Sequence, residues 1–179
     1  AHGLGIAVNL DMVLNHQEQP SPLVLLDFNV ATGQVTPQNP YFNVTPTHPF
    51  NVFYDMNHSS TYTQSFVDSV NYYWINEYHF DGYRFDLSKG FTQTNYGGDV
   101  NAWSNYDAGR VALLKRMADA IWSHTPDAYV ILEHFATNSE ETELANYGMM
   151  LWGNMYGPYK ENILGTASPD IRWTYSGAR

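Results

Sequence analysis

The chain has 179 residues, 44% hydrophobic and 15% charged, which suits a globular domain with a sizeable core and excludes a disordered segment. A formal net charge of −10 leaves no surplus of Lys and Arg for a phosphate backbone, so a nucleic-acid partner is excluded. There is no Cys, hence no disulfide framework or thiol chemistry, and no apolar run approaches the roughly 20 residues of a membrane span.

Residues 1–5 read as the end of a helix, with no initiator Met or signal peptide, and the segment Ile171 to Arg179 carries no clear stop. Both ends therefore read as cuts within a larger protein. Residues 6–14, an apolar run after a Gly-rich turn, predict a buried strand. The stretch from Gln17 to Asn57 holds most of the Pro and is too long for an ordinary loop. It reads as an inserted lid, with short strands expected at Leu23–Phe28 and Asn51–Tyr54. Ser59 or Ser60 can cap a helix over 61–78, whose apolar face would carry Phe66, Val70, Tyr73 and Trp74. A strand over Tyr83–Leu87 follows, then a loop over 90–104 rich in Gly, Asn and Thr. A second helix is expected over 106–123, with Val111, Leu114, Ala118, Ile121 and Trp122 on one face and Pro126 beyond its end. Tyr129–Glu133 is the next strand. Asn138 and Glu141 have capping-box spacing for a helix over 139–146, and Met149–Trp152 reads as a last strand. Strands alternating with helices predict βαβ units and a parallel sheet.

Three of these strands end in polar clusters: Asp11-Met12-Val13-Leu14-Asn15-His16, Arg84-Phe85-Asp86 and Leu132-Glu133-His134. Chemistry gathered at the C-terminal ends of several strands is the layout of a parallel barrel, and two carboxyls, Asp86 and Glu133, are the minimal kit for cleaving a glycosidic bond. Arg84 and Asp86 are two apart in a strand, so they share a face, and the guanidinium would orient Asp86 as suits a nucleophile. Glu133 closes a Val-Ile-Leu run, a half-buried place that suits a proton donor. The same residues also read as a structural ion pair and a solvated strand-end carboxylate. Aromatic content of 16%, with 14 Tyr and 5 Trp, fits stacking on sugar faces and equally a Tyr-rich core.

Together the segments resemble the short motifs of the α-amylase family, glycoside hydrolase family 13. Residues 11–16 resemble the motif ending that family's third barrel strand, and residues 81–89 its fourth-strand motif. Glu133 sits where the fifth-strand acid does, and Tyr54-Asp55-Met56-Asn57 resembles the motif closing the inserted domain B. The resemblance covers essentially the whole chain. It implies a partial (β/α)8 TIM barrel, about strands 3 to 6, with a domain B-like insertion after strand 3. The catalytic domain would comprise 1–16 and 58–179, and the lid 17–57.

On that resemblance Asp86 is the nucleophile, Glu133 the general acid and base, and Arg84 the residue holding Asp86. His16 and Lys89 would touch sugar. Calcium would be held by Asn15, Asp55 and the carbonyl of Gly90, hard oxygen donors suited to Ca²⁺. Two features depart from the pattern. Gly90 stands where many members have His, and no Asn-His-Asp supplies the family's third carboxylate. A full barrel needs about 250 residues, so a four-strand piece with open edges is expected to be poorly stable and inactive alone.

The implied activity is retaining hydrolysis of α-1,4-glucans such as starch and maltooligosaccharides. Pullulanase-like debranching, branching or transglycosylation is the alternative within the family. A non-catalytic glucan-binding relative is the alternative outside catalysis. An extracellular or periplasmic bacterial setting suits a polymer that must be cut outside the cell.

Overall fold

The computed structural model describes residues 1–165. The part of the expected catalytic domain at 166–179, with the segment Ile171 to Arg179, lies outside them. In chain order the elements are β1 (Asn9–Met12), β2 (His16–Gln17), α1 (Pro22–Leu25), β3 (Phe28–Asn29), β4 (Gln34–Val35), β5 (Tyr54–Asp55), α2 (Thr61–Tyr78), β6 (Gly82–Phe85), α3 (Val100–Ser104), α4 (Ala108–His124), β7 (Tyr129–Leu132), α5 (Asn138–Tyr147), β8 (Met150–Leu151) and α6 (Tyr156–Leu164). Strands β1, β6, β7 and β8 form one parallel sheet in that order, joined by helical crossovers. This is a partial (β/α)8 barrel of four consecutive strands.

The alternation within each strand sorts the two faces. Tyr83, Phe85, Val130 and Leu132 are buried in one core with Val67 of α2 and with Val111, Leu114, Met117, Ala118 and Ile121 of α4. Each large apolar side chain removed from water there contributes about 1.5–3 kcal/mol. The register aligns Asp11 with Arg84 and Arg84 with Ile131, so these three occupy the face opposite the helices. Gly82 is required where β6 meets β7, because a Cβ there would lie 2.2 Å from the Tyr129 carbonyl oxygen.

Several expectations shift. The strand expected buried over 6–14 is only Asn9–Met12 and is half-exposed, since among the described residues β1 pairs on one side alone. The face of α2 that packs inward is Thr63, Val67 and Asn71, with Phe66 and Trp74 at its flanks and Tyr73 exposed. The buried face is thus rotated by about one residue from the expected one, with two polar side chains, Thr63 and Asn71, on it. Leu23–Phe28 begins as a helical turn, since Ser21 accepts from the Leu23 amide and Pro22 starts the helix. Within 90–104, expected as a loop, Asp99 caps the short helix α3. At α5 the cap position is Thr137 rather than Asn138, and Glu141 reaches back to the Ala136 amide at 3.2 Å.

Segment 18–57 carries a small core of its own, Val24, Val35, Phe42 and Met56, and is tied to the barrel strands by the antiparallel pair β2 and β5. No helix among the described residues is long and apolar enough to cross a membrane.

Candidate active site

The backbone amide of Asp86 donates to the Met12 carbonyl and that of Glu133 to the Phe85 carbonyl, so both residues extend the parallel ladder by one step. With Phe85 opposite Leu132, Asp86 and Glu133 stand side by side on strands about 4.8 Å apart. Leu87 (φ 42°) and Phe135 (φ 55°) then take left-handed conformations, which turn the chain sharply just past each carboxylate. Such backbone costs on the order of 1–3 kcal/mol at a non-Gly residue, and the surrounding packing offsets it. No sequence signal marked these two turns.

Arg84 is the centre of the cluster. Its Nη1 donates to Asp86 Oδ1 at 2.8 Å and to Asp11 Oδ1 at 2.7 Å, and its Nη2 donates to Glu133 Oε2 at 2.8 Å. The Leu87 amide adds a bond to Glu133 Oε2 at 3.1 Å. Arg84 therefore spans the pair of carboxylates rather than serving Asp86 alone, and Asp11 joins them. Trp152, just past β8, places its ring against the guanidinium, with Arg84 Cζ 4.2 Å from the ring centroid. The sequence reading missed Asp11 and Trp152 as members of this cluster. Asp11 could have been found from its register opposite Arg84; Trp152 depends on the tertiary path of β8.

His16 is half-buried at the start of β2, and burial lowers its pKa against the opposing pull of the Asp86 charge, which favours the neutral ring. Lys89 is not brought to this cluster. It is 6% exposed, and its ammonium donates to Ser104 Oγ at 3.1 Å and the Phe135 carbonyl at 3.0 Å, over the Trp103 ring. Burial, with Arg110 nearby, lowers its pKa.

Asn15, Asp55 and Gly90 do come together. Asn15 Oδ1 and Asp55 Oδ1 are buried and have no hydrogen-bond partner. A Cβ on Gly90 would lie 2.2 Å from Asn15 Oδ1, so only glycine leaves that gap open. Burial pushes the Asp55 carboxyl up to about 6, against hydrogen bonds from Asn43 and Thr47 that pull it down. A buried carboxylate oxygen and a buried amide oxygen, both unpartnered and both beside one gap, fit a cation. His48, which the sequence reading did not single out, reaches the same gap. Burial lowers its pKa to about 4, with His16, Arg110 and Lys89 acting in the same direction.

No protein-family model matches the chain. Among curated proteins, the 1,4-alpha-glucan branching enzyme GlgB of Aliivibrio fischeri is 30% identical over 139 residues, 74% of this chain and 19% of that relative. The chain thus spans about a fifth of the length of that relative. Among solved structures, Eubacterium rectale Amy13B matches with a TM-score of 0.66 at 18% identity, over 93% of this chain and 36% of the other. A pullulanase from Anoxybacillus sp. LM18-11, complexed with maltotetraose, matches with a TM-score of 0.51 at 21% identity, over 74% of this chain and 16% of the other. The structural matches establish the barrel fold; with the curated relative and the ordered motifs, they place the chain in the α-amylase family, glycoside hydrolase family 13.

Proposed function

We propose that the chain carries the catalytic carboxylates of a retaining glycosidase acting on α-1,4-glucans. The observation that supports this most is one guanidinium spanning Asp86 and Glu133 at adjacent strand ends. An Asp86 oxygen attacks the anomeric carbon of the bound sugar. The glycosidic C–O bond breaks, and Glu133 gives its proton to the leaving oxygen. Glu133 then takes a proton from an incoming hydroxyl, whose oxygen displaces Asp86 from the anomeric carbon and restores both groups. With three carboxylates around one cation, the site is electronegative and suits the positive charge that develops on the sugar ring. His16 is suited to hydrogen-bond a sugar hydroxyl.

If the incoming hydroxyl belongs to water the enzyme is an α-amylase. If it belongs to another glucan chain, the same residues carry out branching or transglycosylation. The branching-enzyme relative favours that second reading.

The resemblance names calcium for the gap beside Asn15 Oδ1, Asp55 Oδ1 and the Gly90 carbonyl; a cation held there, whichever ion the donors accept, would supply fixed positive charge. Because Asn15 also donates to the Asp86 carbonyl at 2.6 Å, a cation there would brace the nucleophile's backbone.

The test is the full-length protein with starch, pullulan and maltooligosaccharides. Hydrolysis or chain transfer is expected, with a loss on the order of 10⁴-fold or more in Asp86→Asn. Glucan binding without bond cleavage would instead support a non-catalytic relative.

A further inference from the structure

The proposed cation site lies between β2, β5 and the turn after β6, and each of its side chains is aimed by its own surroundings. Asn15 gives Nδ2 to the Asp86 carbonyl, which directs Oδ1 the other way. Asp55 commits Oδ2 to Asn43 Nδ2 at 2.8 Å, the Thr47 amide at 3.1 Å and Thr47 Oγ1 at 3.2 Å, leaving Oδ1 free. His48 is stacked on Trp103, with ring centroids 5.1 Å apart and planes 7° from parallel. Trp103 is fixed in turn by its indole N–H on the Lys89 carbonyl at 3.1 Å.

Asn15 Oδ1, Asp55 Oδ1 and His48 Nε2 are all buried and without a hydrogen-bond partner, as is the other ring nitrogen, His48 Nδ1. The first three converge. His48 Nε2 is 3.6 Å from Asp55 Oδ1. The point where a Gly90 Cβ would sit is 2.2 Å from Asn15 Oδ1 and 3.0 Å from His48 Nε2. Three buried orphan atoms around one gap are unfavourable unless something fills it.

The donor set does not suit calcium. Calcium takes six to eight oxygens, and water commonly completes its shell. Here one of three side-chain donors is an imidazole nitrogen, and all three atoms are closed off from solvent. Among the described residues no group of three His, Cys, Asp or Glu could hold a metal, so the third side-chain donor is the Asn15 amide. Late first-row divalent ions accept imidazole together with oxygen, and zinc is satisfied by four ligands.

We infer that this site selects a zinc-class divalent ion over calcium, with His48 Nε2 as the selecting ligand. The inference rests on the proposed cation site and adds the identity of the ion. The full-length protein is stripped with a chelator and titrated separately with ZnCl₂, CoCl₂ and CaCl₂. Calorimetry and thermal unfolding follow binding, and the visible spectrum of bound Co²⁺ reports nitrogen ligation. Zinc is expected to bind at least about tenfold more tightly than calcium. His48→Asp, which replaces nitrogen by oxygen, is expected to reverse that order. Should His48→Asp fail to fold, His48→Gln is expected to weaken zinc binding and leave calcium binding unchanged. Tighter calcium binding in the unaltered protein, or zinc binding indifferent to His48, would overturn the inference. If neither ion moves the unfolding temperature, the cation site itself is refuted. Glucan cleavage by the stripped protein reports separately on the glycosidase reading.

Discussion

Arg84 and Arg110 hold carboxylates in opposite ways. Arg110 is fully buried, and every guanidinium nitrogen has a partner: Nε and Nη2 each donate to Glu140 at 2.7 Å, Nη1 to the Trp103 carbonyl and Nη2 to the Asn105 carbonyl. Glu140 has further partners, taking His134 Nε2 at 2.6 Å and the Asp107 amide at 2.8 Å. Arg84 stands at the open ends of the strands and shares one cation among Asp11, Asp86 and Glu133. A closed network in which every guanidinium nitrogen is bonded holds α4 and α5 to the barrel. An open one, with more negative charge than it can neutralise, is able to take a ligand.

Removing one partner of a buried pair separates the two regions most sharply. Arg110→Met leaves the Glu140 charge buried without its guanidinium and is expected to destabilise the full-length protein by about 3–5 kcal/mol. Denaturant unfolding measures this, and a loss below about 1 kcal/mol would show that Arg110 is not structural.

Acid should dissolve the same network. Burial alone would raise Glu140, but the bonds from His134 and Arg110 and the guanidinium charge bring its pKa down to about 2. A depressed folded-state value contributes stability that is complete above the ordinary 4.5 and lost as pH falls through about 2. Burial also lowers His134, whose neutral form is disfavoured below its ordinary 6.5, so it works in the same direction. A loss on the order of 3 kcal/mol is expected across that window. Glu140→Gln should flatten it in pH-dependent unfolding; an unchanged acid limb would assign the effect elsewhere.

Arg84→Met should behave differently. Its ion pairs are part-exposed, so stability should change by less than about 1 kcal/mol, while turnover falls about 10²-fold because the carboxylates lose their shared donor. Equal losses of stability and activity would erase the distinction between the two arginines.

The contrast also shows what a linear sequence can carry. Asp86 and Glu133 were legible because strand periodicity and ordered motifs fix their places, and so was the buried face of α4. The closed network was not. Glu140 lies on a polar stretch, Ser139-Glu140-Glu141, that reads as solvated, and Arg110 falls in the first turn of α4 with nothing local to mark it as buried. Their burial arises only when α4 and α5 pack together, a contact between distant segments. His48 was missed for the same reason, since it meets Asn15 and Asp55 only through the folded insertion. Lys89 was legible as a charge near the site, but the packing of Trp103 and Ser104 draws it inside.

Asp11 gives the smallest effect and the finest test. Its side chain is 67% exposed, and it shares Arg84 Nη1 with Asp86. If the cluster is a catalytic pair with one peripheral carboxylate, Asp11→Asn should shift stability by less than about 1 kcal/mol. It should also lower kcat by less than about tenfold, because the guanidinium keeps both Asp86 and Glu133. A loss matching Asp86→Asn would mean that Asp11 reacts with or binds the sugar directly. The pair would then be a trio, and the imbalance of charge around Arg84 would be a requirement of the chemistry itself.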